Sequence, residues 1–266
     1  MDTPNATSND ANLPGVPHPV AIFRSEVVVT GGWNVRWTAS TGSTNDDLLA
    51  AARAGAPDRL VLVADHQMAG RGRLDRRWVA PSGVNLLVSV LFRNVPQYPH
   101  ALTHAVALAA AEASARIAGV TPDVKWPNDL LVSGAKLAGI LSTAGPAQSV
   151  PPRPTFVVVG LGLNVGWAPD GAACLSALAP RAVGRDEVLV ALLGALDELS
   201  GLSDHELHAR YRQGLSTIGR DVRVELPNDR IVEGRAIDVE DDGRLVVLDS
   251  CGVTHRLDVG DVVHLR

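Results

Sequence analysis

The sequence predicts an α+β protein that carries a small all-β unit at its C-terminal end. Before Gly214, short apolar runs of strand length are mixed with longer segments whose apolar residues recur at helical spacing. After Gly214, short alternating segments separated by turns such as PND and DDG follow one another. That pattern is typical of a small β-barrel of about 50 residues.

The first elements can be assigned from composition and capping residues. Residues 1–18 contain Pro, Asn, Asp, Ser and Gly with almost no large apolar side chain, which predicts a disordered tail. A helix is predicted to begin near Asn45, because Ser43 or Thr44 can cap it and two aspartates occupy its first turn. A Gly-Ala-Pro sequence then ends it.

The later elements follow from hydrophobic spacing. Apolar runs predict strands over residues 59–65, 85–92 and 155–166, and a hairpin that turns at Ser133–Gly134. Helical spacing predicts helices over residues 101–119, 185–200 and 204–214. We expect loops over residues 66–83 and 144–154.

Charge and composition exclude several classes of protein. The net charge of −5 disfavours a general binder of nucleic acid or anionic membranes. No apolar run approaches the length of a membrane span, and the N-terminus lacks the pattern of a signal peptide. Cys174 and Cys251 have no metal-binding spacing and fit a reducing compartment. We therefore expect a cytoplasmic protein without a metal site of its own.

The densest basic segment is AGRGRLDRRW, residues 69–78. Its glycines allow close approach of the backbone to a ligand, and its arginines offer planar forks for phosphate or carboxylate. Trp78 could stack on a flat aromatic ring. One interpretation is a mobile loop that closes over a phosphorylated ligand. A solvated basic loop and a nucleic-acid contact are the alternatives.

The segment KWPNDLLVSGAKLAGIL, residues 125–141, contains both lysines of a chain whose other 22 basic residues are arginine. Either this is chance, or a site here needs a compact ammonium that a guanidinium cannot replace. Asn128 and Asp129 follow Pro127 at a turn, where Asp129 could serve as a metal or water contact or as a base. Lys136 begins a strand and either points into the site or lies solvated at an edge.

Five segments in this order resemble the biotin protein ligases: GSTNDDLL, ADHQMAGRGRLDRRW, PSGVNLLVSV, KWPNDLLVSGAKLAGIL and VVVGLGLNVG. The resemblance covers roughly residues 36–170, and the short C-terminal unit matches the layout of the family. It implies a central mixed β-sheet with flanking helices, like that of class II aminoacyl-tRNA synthetases, plus a small SH3-like C-terminal β-barrel. We accordingly expect a catalytic domain over residues 19–214 and a C-terminal domain over residues 215–266.

The resemblance also implies a two-step reaction without a permanently bound cofactor. The carboxylate of biotin attacks the α-phosphorus of ATP, with Mg²⁺, and gives biotinyl-5′-AMP and pyrophosphate. A lysine of the biotin carboxyl carrier domain of an acyl-CoA carboxylase then attacks the mixed anhydride. Biotin, ATP and this carrier domain are the implied partners, without DNA or membrane.

Residue roles follow by matching the family motifs. The implied biotin-binding residues are Ser43, Thr44, Asn45, Gln67, Arg71, Gly72, Arg73 and Lys136. The implied ATP-binding residues are Trp78, Asn128 and Asn164, and the implied catalytic residues are Lys136, Arg73 and Asp129. Asp129 would help to deprotonate the acceptor lysine, whose unperturbed pKa is about 10.4.

The sequence departs from the family pattern at a few positions. Thr143 stands where members often carry an acidic residue, and Ala173 and Cys174 stand where a Thr–Ser pair is common. The segment before the first motif is too short for the winged-helix domain of bifunctional members, so we expect no repressor function. The competing hypotheses are a lipoate or octanoate transferase of the same fold, and a non-catalytic module that binds a ligand or nucleic acid through the arginine loop.

Overall fold

The computed structural model describes residues 23–29, 31–74, 76–148 and 152–265 of the chain. The disordered tail expected over residues 1–18 lies outside the described residues. A large mixed sheet is followed by a smaller antiparallel sheet. The predicted α+β class, with an all-β unit at the C-terminal end, is therefore confirmed.

The larger unit is built around an eight-stranded sheet with the order β1-β2-β3-β4-β10-β7-β6-β5. β2 and β3 pair in parallel and the other neighbours pair antiparallel, so the sheet is mixed as the resemblance implied. β8 and β9 form a separate hairpin within the stretch expected to be a loop. The strand bounds are β1 Phe23–Val29, β2 Trp33–Thr41, β3 Leu60–Gln67, β4 Leu86–Phe92, β5 Asp123–Lys125, β6 Asp129–Val132, β7 Ala135–Ala144, β8 Ala147–Gln148, β9 Arg153–Pro154 and β10 Val157–Leu163.

Two strands at the start of the sheet were not expected from the sequence. β2 mixes polar residues with its buried Trp33 and Val35, so its apolar alternation is weak over most of its length. Its parallel register with β3 runs to the pair Thr41↔Gln67. Because of this pairing, His66 and Gln67 finish β3, and their assignment to the following loop was wrong.

Helices cover both faces of the large sheet. In β3, Leu60 and Leu62 pack in a cluster with α1, whereas Val61 and Val63 pack in the larger cluster with α2 and α4. This is the alternation expected of a strand that is buried on both faces. The helices lie close to their predicted bounds, apart from the short, unpredicted α3: α1 Thr44–Arg53, α2 Ala101–Ala118, α3 Leu175–Leu178, α4 Arg185–Ser200 and α5 Asp204–Gly214.

The C-terminal unit is a five-stranded antiparallel sheet with the order β14-β13-β12-β11-β15. Its buried Val222 and Val224 belong to the same apolar cluster as α2, so the two units share a core. The indole Nε1 of Trp126 also donates a hydrogen bond to the Gly243 carbonyl at 2.9 Å. The strands are β11 Asp221–Glu225, β12 Ile231–Val239, β13 Leu245–Leu248, β14 Thr254–Leu257 and β15 Asp261–His264.

None of the helices in the described part of the chain combines the length and the apolar character that crossing a membrane requires.

A buried histidine lies where α2 meets α5. The His104 ring stacks on Tyr211 with ring centroids 3.5 Å apart and planes 9° apart, and both side chains are almost fully buried. Burial lowers the pKa of His104 well below its usual value, and the nearby His100 and His208 lower it further. His104 is therefore neutral in the folded protein.

We expect the free energy of unfolding to fall as the pH drops below about 6.5, the pKa of a histidine in an unfolded chain. Below that pH the unfolded state binds a proton that folded His104 does not, which costs at most about 1.4 kcal/mol per pH unit. Urea unfolding between pH 7 and pH 5 measures this dependence. His104→Phe keeps an aromatic ring stacked on Tyr211 but removes the titrating group, so the free energy of unfolding should depend less on pH. The matched change at exposed His205, His205→Phe, should not have this effect; equal slopes in wild type and His104→Phe would contradict the assignment.

Candidate functional site

A cavity of about 660 Å³ lies over β7 and β10, between the first turn of α1 and residues 69–78. We call residues 69–78 the flap; Asp75 within it is not described. The cavity wall brings together all the residues predicted for the site: Ser43, Thr44, Asn45, Gln67, Arg71, Gly72, Arg73, Trp78, Asn128, Asp129, Lys136 and Asn164.

One end of the cavity is a network of neutral polar side chains. Gln67 Oε1 accepts hydrogen bonds from the Thr44 backbone N–H at 2.8 Å and from its hydroxyl at 3.0 Å. The Ser89 hydroxyl lies 2.8 Å from the Thr44 hydroxyl and donates to Asn45 Oδ1 at 2.7 Å. Ser43 lies beside them, buried at the N-cap of α1, and its side chain makes no capping hydrogen bond. This end therefore offers hydroxyl and amide groups but no charge.

Ser89 is a site residue that sequence reasoning missed. It is fully buried in the middle of the apolar strand β4 and lines the cavity. A hydroxyl in an otherwise apolar run, on a strand buried on both faces, needs a hydrogen-bond partner. That single polar position was the available signal.

The glycines of GLGLN make room for two of the site side chains. A Cβ atom at Gly160 would lie 2.5 Å from Asn45 Oδ1, and one at Gly162 would lie 2.4 Å from the Trp78 ring. Gly162 pairs with Gly139 across the β7–β10 ladder, where an added Cβ would lie 3.1 Å from the same ring. These glycines therefore act through the close approach of side chains and not through a phosphate-binding turn.

Trp78 ends the flap with its indole against this pair of glycines. Its Nε1 is buried and has no hydrogen-bond partner in the described structure. The Lys136 ammonium lies 5.8 Å from the centroid of the ring. The indole thus forms a flat apolar wall, and its one donor is buried against Gly162.

Both lysines of the chain lie beside one carboxylate. Lys136 Nζ is 2.6 Å from Asp129 Oδ1, and Lys125 is paired with Asp129 across the β5–β6 ladder. Burial lowers the pKa of the Lys125 ammonium, which the charge of Asp129 opposes. Lys136 lines the cavity from β7, whereas Lys125 lies two strands further out, on β5. The clustering of lysine in the sequence thus corresponds to a cluster in space.

The flap arginines contact three different parts of the protein. Arg73 Nη1 lies 3.3 Å from Asn128 Oδ1 and 3.2 Å from the Gly260 carbonyl, and donates to both. Burial lowers the pKa of the Arg73 guanidinium, and the charge of Asp129 opposes that shift. Arg71 forms an ion pair with Asp46 on α1.

Asn164 braces the strand that carries Lys136. Its Nδ2 donates to the Lys136 carbonyl at 3.4 Å and to the Ala173 carbonyl at 3.1 Å, and its Oδ1 accepts from Asn85 at 3.1 Å. The Ala173 backbone N–H also donates to the Lys136 carbonyl at 2.9 Å. At the unusual Ala173 position, the backbone therefore makes the contact to β7. Thr143, the other main departure, is not among the residues that line the cavity.

Within the described ranges, no group of three or more His, Cys, Asp or Glu side chains converges in a way that could hold a metal ion. Two carboxylates, those of Asp129 and Asp261, stand at the cavity wall. One or two carboxylates suit a Mg²⁺ ion whose remaining ligands are water and substrate phosphates. A metal at this site would therefore enter together with a nucleotide.

Comparison with known proteins identifies the family. The profile of the Biotin/lipoate A/B protein ligase family matches residues 37–164, and that of the Biotin protein ligase C terminal domain matches residues 217–265. A biotin–[acetyl-CoA-carboxylase] ligase of Mycobacterium tuberculosis is 42% identical over 260 residues, which cover 92% of this chain and 94% of that protein. The chain belongs to the biotin protein ligase family.

Solved structures of biotin protein ligases share the fold of this family member. The Aquifex aeolicus enzyme in complex with biotin and ATP superposes with a TM-score of 0.72 at 24% identity, covering 87% of this chain and 98% of that chain. The Leishmania major enzyme in complex with biotinyl-5-AMP gives a TM-score of 0.60 at 18% identity, covering 85% and 98%. At these identities the likeness concerns the fold.

We expect Gly160→Ala to destabilise this biotin protein ligase family member by about 1–3 kcal/mol, because the new methyl group forces the buried Asn45 side chain out of its network. Urea unfolding measures the change. Gly194→Ala is the matched control: Gly194 lies inside α4 with no atom within 4 Å of an added Cβ. The same substitution there should stabilise by about 0.5–1 kcal/mol. Similar effects at the two positions would contradict the close approach of Asn45 to β10.

Proposed function

We propose that the chain is an ATP-dependent biotin protein ligase that forms biotinyl-5′-AMP and then transfers biotin to a lysine of a biotin carboxyl carrier domain. The observation that carries this proposal is the polarity of the cavity. One end has neutral hydroxyl and amide groups and the other has Lys136 and Arg73. Biotin has the same polarity, with an uncharged urea at one end and a carboxylate at the other.

The neutral end suits the urea ring. A buried urea needs both donors and acceptors, and Ser43, Thr44, Asn45 and Gln67 supply them without a formal charge. Ser89 fixes the orientation of Thr44 and Asn45 through its two short contacts. Because each unpaired buried polar group costs about 1–3 kcal/mol, this end selects a ligand that can satisfy it. Lipoate carries a disulfide ring in place of the urea, so biotin is favoured over lipoate.

The charged end suits the reacting groups. The carboxylate of biotin and the α-phosphate of ATP are both anions, so fixed cations must offset their repulsion as the new bond forms. Lys136 supplies a compact ammonium on a strand, and Arg73 supplies a guanidinium from the flap. Lys136 leaves its ion pair with Asp129 to contact the reacting oxygens. The carboxylate oxygen then bonds to the α-phosphorus as the bond to the pyrophosphate oxygen breaks.

Trp78 and Asn128 form the proposed nucleotide side of the cavity. The indole of Trp78 offers a face for adenine. Asn128 is held by its bonds to the Ile140 carbonyl and to Arg73, so it presents a fixed amide beside the flap. Asn164 acts indirectly, because its side-chain amide donates to the Lys136 carbonyl and so holds the strand that carries Lys136. Mg²⁺ bound with ATP offsets phosphate charge.

Asp129 is the proposed base of the second step. The acceptor lysine must lose a proton before its nitrogen attacks the carbonyl carbon of the anhydride, and AMP leaves with the bonding electrons. Once Lys136 has moved to the substrate, Asp129 has a free carboxylate oxygen within the cavity. The carrier domain of an acyl-CoA carboxylase is the proposed acceptor, and the cytoplasm is the proposed location.

Transfer of labelled biotin to a carrier domain, with and without ATP, tests the proposed function. We expect label on the carrier only when ATP is present. Calorimetry gives an independent measurement, in which biotin should bind more tightly than lipoate by at least about tenfold, because lipoate leaves the polar end unpaired. Equal binding of the two ligands would favour the lipoate transferase. Label transfer without ATP would exclude the adenylate route.

We expect Lys136→Ala to lose at least about 100-fold in biotin-dependent pyrophosphate release while the protein remains folded, since it removes the cation at the reacting oxygens. Lys136→Arg should recover part of the rate, because it restores the charge but not the compact shape. Lys125→Ala removes an ammonium that does not line the cavity, so it should lower the rate of pyrophosphate release much less than Lys136→Ala does. Pyrophosphate release at the wild-type rate in Lys136→Ala would refute the assigned role.

A further inference from the structure

The flap contacts the C-terminal sheet at two points. Arg76 forms an ion pair with Asp261, and Arg73 donates to the carbonyl of the neighbouring Gly260 at 3.2 Å. Asp261 also lines the cavity. The small C-terminal unit therefore contributes a carboxylate to the wall of a cavity that otherwise belongs to the large unit.

Asp261 is held firmly by its own strand. It begins β15 and pairs with Glu225 on β11, and the next residue, Val262, is buried in the shared core. Gly260 has a φ of +153°, and a Cβ atom there would lie 2.5 Å from Val224, so the backbone packs tightly just before Asp261. The carboxylate is thus a fixed point, whereas its partner Arg76 is mostly exposed on the flap.

The flap itself is a narrow hairpin with anchors on both sides. Its two halves are joined by bonds from the Gly72 N–H to the Arg76 carbonyl at 2.7 Å and from the Trp78 N–H to the Gly70 carbonyl at 3.0 Å. The Arg71–Asp46 pair holds it to α1, and Arg76 holds it to the C-terminal unit. Releasing the Arg76–Asp261 pair would leave the flap tied to α1 through Arg71 and held by the weaker contacts of Arg73 with Asn128 and Gly260.

We propose that Asp261 is a positioning residue that keeps the flap closed over the acyl-adenylate by holding Arg76. This inference rests on the proposed ligase function. It concerns retention of the intermediate and not its formation, because Asp261 is an anion and gains nothing by contacting the phosphates. A closed flap excludes water from the anhydride, so an intermediate waiting for the carrier domain survives longer.

The test exchanges the charges of Asp261 and Arg76 and measures loss of the adenylate as release of AMP. Without a carrier domain, water attacks the carbonyl carbon of the adenylate, the bond to the phosphate oxygen breaks, and biotin and AMP are released. Charge reversal replaces the attraction of this exposed ion pair by repulsion, so Asp261→Arg should raise AMP release about tenfold. Arg76→Asp should do the same. The double variant Asp261→Arg, Arg76→Asp should return to within about threefold of wild type.

Rescue by the swap separates positioning from a general loss of structure, which a second charge change would not repair. Glu233→Arg is the matched control, since Glu233 lies on the same sheet but does not line the cavity. It should leave leakage unchanged. Wild-type leakage in both single variants, or no recovery in the double variant, would overturn the role of Asp261. Failure of the wild-type protein to form any adenylate would instead overturn the proposed ligase function.

Discussion

A patch without side chains on the β7–β10 ladder is the constraint on which the site depends. Gly139 and Gly162 face each other across this ladder, and Gly160 lies two residues from Gly162 on the same strand. The bare backbone lets Asn45 approach from α1 and lets the Trp78 indole approach from the flap. Any larger residue at these positions would fill the space in which both ends of the cavity are built. Because these glycines have no side chain, they leave room for Asn45 and Trp78 at the cavity wall.

At the charged end of the cavity, carboxylates lie in ion pairs with cationic side chains. Asp129 lies against Lys136 and opposite Lys125, and Asp261 holds Arg76. Uncompensated cations concentrated in so small and partly buried a space would repel one another and lose solvation. Asp129 and Asp261 therefore hold Lys136 and Arg76 in place by their opposite charge.

The sequence predicted the elements that have strong local patterns. The helices α1, α2, α4 and α5 and the turn at Ser133–Gly134 lie where spacing and capping indicated. The motif residues also meet at one cavity, because the motifs come from strand ends and turns on one side of the sheet. β1 and β2 were missed because their apolar alternation is weak. Asp261 was missed because it reaches the flap only through the docking of two sheets, which no local pattern reveals.

The resemblance to a family predicted more of the site residues than the residue patterns alone did. Spacing alone left Lys136 either in the site or at an edge, and it left the arginine loop with three interpretations. Ser89 shows the opposite case, since its polar side chain within an apolar strand marks it without any comparison. Physical reasoning from sequence is strongest where a residue conflicts with its local surroundings. It is weakest where partners are distant along the chain.

The scarcity of lysine affects how readily such a protein is acylated by its own reactive intermediate. A mixed anhydride that escapes into solvent acylates whatever primary amines it meets. In this sequence the side-chain amines number two, Lys125 and Lys136, and both lie half-buried beside Asp129. Its other surface cations are guanidinium groups, which stay protonated and do not act as nucleophiles at neutral pH. The side chains of this protein therefore offer few amines for self-labelling.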